Sequence, residues 1–331
     1  MTEQLFELPE SYLAIIEEAK KVAQQVAPYA HHADEADHFD PNVRQILAES
    51  GLCSLTVPKK FGGRFEEVDS LAVTVVREQL AYESAHVDSM FCMQGIGSYA
   101  LAQAGSPALQ EAWLPAVGRL ESIAALGLTE PDVGSDLRAI TTTIEVEGDL
   151  LRINGHKSFI TNAGDADFYT MLGKETVGGE IAYSLVLIPA STPGLSVSHP
   201  HQIIAPHVLG DVIMKDVMVP SSHRIGEPGK GFNLVLATLS TFRVSVAGAA
   251  IGIAQAALDE ATKHAAGREQ FGVPLARLGG IPAQLANSWA EIEMARALTY
   301  RAAAASARDA RANLYLSSLA KAGATEMSGR V

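Results

Sequence analysis

The spacing of apolar residues changes twice along the chain, and that change limits the fold more than any single motif. Over residues 9 to about 124 apolar positions recur at helical intervals, as in Tyr12, Ile15, Ile16 and Ala19 and again in Val73, Val76 and Leu80. Over about 126–225 short runs alternate with period two: Ile144 and Val146, a turn at Gly148 and Asp149, Leu151 and Ile153, then runs at 169–172, 183–188 and 212–219. From 231 to about 266 helical spacing returns without a proline, with Val235, Leu239, Phe242, Val246, Ala249, Ile253 and Ala256 in one stripe. Further helices are expected after Pro282 and after Arg311. Residues 57–67 read as a long loop, broken by Pro58, Gly62 and Gly63.

The pattern predicts an α+β multidomain fold: an N-terminal helical domain (1–124), a middle antiparallel, barrel-like β domain (125–225) and a C-terminal helical bundle (226–331). It is neither an alternating βαβ chain nor a repeat array. The closing SLAKAGATEMSGRV reads as helix without a stop signal. The bundle is therefore expected to be incomplete, with a fourth helix beyond Val331.

Composition removes several function classes. The net charge of -13 opposes a polyphosphate partner, so nucleic acid is not expected. Cys53 and Cys92 have apolar or hydroxyl neighbours and no CxxC spacing, which predicts reduced core thiols. No basic segment precedes an apolar run at the N-terminus, and no uninterrupted apolar run approaches a membrane span; the expectation is a cytoplasmic protein without a membrane partner.

The most informative stretch is LGLTEPDVGSD, 126–136, in which a strand ends at Thr129, Pro131 forces extension, and Gly134 and Ser135 can bring N–H groups and a hydroxyl to an anion or a heteroaromatic edge. Alone it is as readily a hydrophilic turn. It is followed by FITNAG at 159–164, after a hairpin, and by REQFG at 268–272, after the long helix. These three motifs in this order, with GLCSLTVPKKFGG at 51–63, VMVPSSHRIGEPGKGF at 217–232 and LDEATKHA at 258–265, resemble the acyl-CoA dehydrogenase family over nearly the whole chain.

The resemblance implies FAD, extended between the β domain and the C-terminal helices, with a second subunit completing its site in a homodimer or homotetramer. It implies oxidation of an acyl thioester, on CoA or an acyl-carrier protein, to the α,β-unsaturated product, with electron-transfer flavoprotein or another acceptor as partner and a place in fatty acid metabolism. By this carry-over Leu128 and Thr129 meet the pyrimidine edge of the isoalloxazine, Gly134 and Ser135 hold the pyrophosphate, Phe159 lies against the ring where relatives often carry tryptophan, and Thr161 bonds near N5. From the neighbouring subunit, Arg268 pairs with the pyrophosphate while Gln270 and Phe271 contact the adenosine half. Ser240, Arg243 and Gln94 are the substrate-binding candidates.

This chemistry also needs a carboxylate to remove the α-proton. In most of the family it is a glutamate on a segment that would follow Val331; in a minority it precedes the arginine that here is Arg243, and that residue is Phe242. Glu130 is expected to be structural. Ser240 replaces a common aspartate, a flavin-binding glutamine is replaced within 278–280, and the loop 201–211 lacks the usual arginine and serine. The alternatives are a catalytically incompetent flavin-binding or scaffold homologue, or a flavin monooxygenase on the same fold. The histidines and acids of 31–38 read as a solvated helix end rather than a metal site. The 226–232 stretch lacks phosphate-loop spacing, and Gly248 with Gly252 suggests close helix packing.

Overall fold

A computed structural model describes residues 8–36, 38–201, 203 and 208–331. The first seven residues, read above for a leader, and five of the eleven residues in the loop 201–211 lie outside them. The chain opens with α1 (Glu10–Asp34), α2 (Pro41–Ser50), α3 (Ser70–Glu83), α4 (Ala85–Ala104) and α5 (Pro107–Gly118). Seven strands follow: β1 (Ala124–Gly127), β2 (Thr143–Glu147), β3 (Leu150–Thr161), β4 (Phe168–Val177), β5 (Glu180–Pro189), β6 (Leu195–Ser198) and β7 (Leu209–Pro220). After the short β8 (Arg224–Ile225) come α6 (Gly231–Gly267), a small hairpin of β9 (Glu269–Gln270) and β10 (Val273–Pro274), then α7 (Ile281–Arg308) and α8 (Leu314–Ser328). The order helices, sheet, helices is the one the periodicity predicts.

Helix ends follow local chemistry. The Asp40 carboxylate accepts from the N–H groups of Asn42 and Val43 ahead of α2, Pro41 occupies its first turn, and Gly51 at φ 68° stops it. Asp69 caps α3 through Ala72 N–H, and Ser106 caps α5 through Leu109 N–H. α8, read above as a helix without a stop, ends at Ser328, where the N–H of Gly329 turns back to Thr325 and Met327 carbonyls. The 57–67 loop folds partly into a 3-10 turn, Lys59–Phe61, closed by Gly62 at φ 93°.

The chain divides into two compact units. One comprises His31–Val68 and Ser89–Leu239 and contains the sheet. Its strand order is β6-β7-β3-β2-β4-β5-β8, with β1 paired to β4. Strands joined by tight turns are antiparallel, as β2–β3 around Gly148 and β4–β5 around Gly178 and Gly179 must be. The β1–β4 and β2–β4 pairings are parallel, so the sheet is mixed. Period-two alternation reports which face is buried and not strand direction, and neither of these pairs is joined by a hairpin. The core of this unit runs from Phe168, Leu172, Leu185 and Leu187 of the sheet to Leu101, Leu114 and Val117 of α4 and α5.

The other unit comprises α1 as far as Ala30, Asp69–Asp88 and Ser240–Val331. Here α3 and α6 approach closely: a Cβ on Gly248 would fall 2.4 Å from Thr74 O, and one on Gly252 would fall 2.1 Å from Glu78 O. That is the close packing expected of the small pair. Arg77 is buried beside them and forks onto Asp88 at 2.8 and 2.6 Å, with Ser245 Oγ at 3.1 Å. Among the described residues one helix, α6, is long and apolar enough to span a membrane by length and composition; 67% of its most apolar window is buried within the protein. A helix lodged in a core passes the same test.

Candidate functional site

Leu128 and Thr129 follow β1 directly, and two bonds tie them to β3. Ser158 N–H donates to Thr129 O at 2.9 Å, and Lys157 Nζ donates to Leu128 O at 3.1 Å. The TEP motif and the start of FITNAG are thus one locus, although about 30 residues of strand and turn separate them in sequence.

Lys157 also meets Glu130 Oε1 at 2.9 Å, and both side chains are nearly withdrawn from water. The Glu130 carboxylate accepts the N–H and hydroxyl of both Thr141 and Thr142, at 2.6 to 3.0 Å. Burial pushes its pKa up, but these bonds and the Lys157 bond outweigh burial and bring it down to about 2. A carboxylate held ionised by five donors is a poor proton acceptor, which agrees with its structural reading.

Phe159 stands at a bulge. The β3–β7 register passes from Lys157 opposite Val212 to Ile160 opposite Gly210, so Ser158 and Phe159 together face Asp211. Phe159 takes φ 57°, a left-handed conformation costly for a bulky residue, and its side chain is 54% exposed. Thr161 closes β3 half-buried, and Asn162 beyond it turns at φ 68°. Gly134 and Ser135 are exposed just beyond the turn that pairs Glu130 with Val133. A Cβ on Gly134 would meet no protein atom within 4 Å, and its φ is not positive. Neither packing nor backbone explains that glycine. An outward ring in a strained backbone and an open glycine beside a serine hydroxyl both fit an external group carrying an aromatic system and an anion, as a flavin nucleotide does.

In the other unit, Arg268 and Gln270 are exposed around the β9–β10 hairpin. Val273 pairs with Gln270, leaving Phe271 and Gly272 as a two-residue turn with both φ positive, at 53° and 77°. Phe271 is 94% exposed, a second bulky side chain in a glycine-like conformation turned to solvent. On α6, Ser240 is 2% exposed, Phe242 is buried, and Arg243 Nη1 lies 3.4 Å from Ser318 Oγ.

Gln94 differs from its expected role. Its amide is fully buried, donating to Val117 O and Ser122 O at 3.2 and 2.7 Å and accepting Ala124 N–H at 3.1 Å. It staples α4 to the segment entering β1 and has no free face for a substrate. Sequence reading also missed a cluster beside Phe159: Asp211 accepts from Ser158, His156 and His201. A signal was present, since His156 and Ser158 are two apart on β3 and share a face.

The helix-sheet-helix order is that of a known class of flavin-dependent oxidoreductase. Family profiles match in the same order: "Acyl-CoA dehydrogenase, N-terminal domain" over residues 9–121, "middle domain" over 125–217 and "C-terminal domain" over 229–331. Cyclohex-1-ene-1-carbonyl-CoA dehydrogenase of Syntrophus aciditrophicus (strain SB) is 35% identical over 301 residues, covering 89% of this chain and 72% of that protein. Glutaryl-CoA dehydrogenase of Desulfococcus multivorans is 32% identical over 291 residues, 86% of this chain and 74% of that protein. The solved butyryl-CoA dehydrogenase of Megasphaera elsdenii superposes with a TM-score of 0.90 at 28% identity, covering 97% of this chain and 86% of that one. The chain belongs to the acyl-CoA dehydrogenase family, oxidoreductases acting on CH–CH groups.

Proposed function

We propose that this protein uses FAD to oxidise an acyl thioester to its α,β-unsaturated form, with CoA or an acyl-carrier protein as the thiol. The observation that carries the reading is the junction of Thr129 with Ser158 and Phe159, which joins hydroxyl and N–H donors to an outward aromatic ring. Bound there, FAD supplies the hydride acceptor for the β-hydrogen. Leu128 and Thr129 hold the pyrimidine edge, where donors stabilise the charge that collects on reduction. Gly134 and Ser135 receive the pyrophosphate, Phe159 covers the ring against water, and Thr161 bonds near the reacting edge. Arg268, Gln270 and Phe271 serve the pyrophosphate and adenosine of a second copy, which accounts for a bare phenylalanine on a strained hairpin and makes the enzyme a homodimer or homotetramer. Arg243 is the candidate left for the acyl thioester, because Ser240, like Gln94, is buried.

Removal of the α-proton needs a carboxylate, and Glu130, held ionised by five donors, does not serve as one. Electron-transfer flavoprotein is the acceptor in this reading, and the compartment is the cytoplasm. A second reading, a flavin-binding homologue without dehydrogenase activity, is favoured by one observation: the α6 position that carries the base in a minority of relatives is here the buried, apolar Phe242. Anaerobic titration of the purified flavoprotein with a panel of acyl-CoA and acyl-carrier thioesters separates the two. Loss of the visible flavin band identifies the substrate class, whereas an unbleached bound flavin supports the second reading.

A further inference from the structure

We infer that Asp211 is a positioning residue for Phe159, acting through His201 and Ser158 to fix the aromatic surface presented to the isoalloxazine; this rests on the reading of Phe159 as the flavin-facing ring. Asp211 lies on β7 opposite the bulge that carries Ser158 and Phe159. Ser158 Oγ donates to its Oδ1 at 2.6 Å, and His201 Nε2 meets the same oxygen at 2.6 Å. His156 Nε2 meets Oδ2 at 2.8 Å. The His201 ring in turn stacks on Phe159, with centroids 4.0 Å apart and planes 20° from parallel. One face of the phenyl ring is therefore backed by an imidazole, which a largely buried carboxylate anchors, while the side chain remains half exposed.

The carboxylate can only accept. Burial raises its pKa, but the bonds from Ser158, His201 and His156 prevail and hold it down to about 2. Each partner must then point a hydrogen at it, which sets the His201 Nε2–H and the Ser158 rotor. The cluster is not a nucleophilic triad: Ser158 Oγ is 3.3 Å from His201 Nε2, but both address the same oxygen of Asp211, so no base faces the serine. What remains is a brace. Asp211 fixes the residue preceding Phe159 in the chain and the ring stacked behind it, at a point where β3 leaves its ladder with β7.

The test uses the full chain and the variants Asp211→Ala, His201→Ala, His201→Phe and Phe159→Ala. In the flavin-free protein, with carbon-13 in the phenylalanine rings, Asp211→Ala and His201→Ala are expected to shift the Phe159 ring resonances. In the flavin-loaded protein the same two variants are expected to weaken FAD about tenfold and move its visible band, whereas His201→Phe, which restores a backing ring, returns both toward the parent. Unshifted Phe159 resonances in Asp211→Ala overturn the inference whatever the flavin does. So does a lower melting temperature with flavin affinity and spectrum unchanged, which makes Asp211 structural only. If Phe159→Ala itself keeps the parent affinity and spectrum, the failure lies in the reading of Phe159 as flavin-facing.

Discussion

Lys157 and Glu130 form an ion pair at 2.9 Å with 0% and 3% of their side chains exposed, and the same ammonium bonds Leu128 O. One lysine thus joins the end of β1 to β3 at the candidate site. In Lys157→Met the four bonds from Thr141 and Thr142 remain, but Glu130 stays charged without its partner. The expected loss is about 3 to 5 kcal/mol in urea-induced unfolding, as for other buried pairs broken on one side. The double variant Lys157→Met with Glu130→Gln recovers part of it, because no buried charge is then left alone. A double variant no better than the single would show that the lysine acts by packing.

The same carboxylate gives stability a pH dependence whose sign is fixed. The Glu130 pKa in the folded protein lies at about 2 against an ordinary 4.5, and that of Asp211 at about 2 against 3.8. Both groups stabilise the fold fully above their ordinary values, and that contribution is lost as pH falls through the lower ones. The urea midpoint measured from about pH 6 down to about pH 2 should begin to fall near the ordinary carboxylate range and keep falling. Glu130→Gln should flatten that slope while lowering stability at neutral pH, and an unchanged slope would remove Glu130 from the account.

Gly252 lies where α3 and α6 meet, and a Cβ there would come within 2.1 Å of Glu78 O and 3.0 Å of Tyr82 N, backbone atoms that cannot move aside alone. Gly252→Val should destabilise by about 2 kcal/mol or more through overpacking, read as a lower melting temperature. Gly267→Ala is the control: nothing lies within 4 Å of its added Cβ, and its effect should stay within about 1 kcal/mol. Equal effects at both positions would mean that helix propensity, and not the close approach, governs α6.

These outcomes also mark how far the sequence could be read. The order of elements followed from apolar spacing because burying one face of a helix or strand imposes its period on the chain: α6 was expected over 231 to about 266 and spans Gly231–Gly267. Strand direction was not legible at β1 and β2, whose partner β4 is reached without a hairpin. At the site, Leu128 and Thr129 are joined to the 157–159 segment while Arg268, Gln270 and Phe271 lie in the other unit, and motif order did not say what each residue does. Gln94 looks like any polar residue on a helix until its amide is seen bound to three backbone groups far along the chain. Asp211 and His201 were hidden for the related reason that a β-bulge, which brings them to Phe159, leaves no periodic trace; the spacing of His156 and Ser158 on β3 was the one part of the cluster that did.

Phe159 offers a case in which stability and binding should separate. Its φ of 57° costs a phenylalanine about 1 to 2 kcal/mol that glycine does not incur. Against that gain, Phe159→Gly loses the stack on His201, about 0.5 to 1.5 kcal/mol, and little burial, since the side chain is 54% exposed. The two contributions nearly cancel, so the unfolding free energy of the flavin-free protein should change by less than about 1 kcal/mol. FAD retention should nevertheless fall about tenfold or more, because the ring that covers the flavin is gone while the glycine leaves the bulge intact. Measured side by side by urea unfolding and flavin fluorescence, a large loss of stability would mean that the ring belongs to the core. Unchanged FAD affinity would mean that the strained backbone at Phe159 serves something other than the flavin.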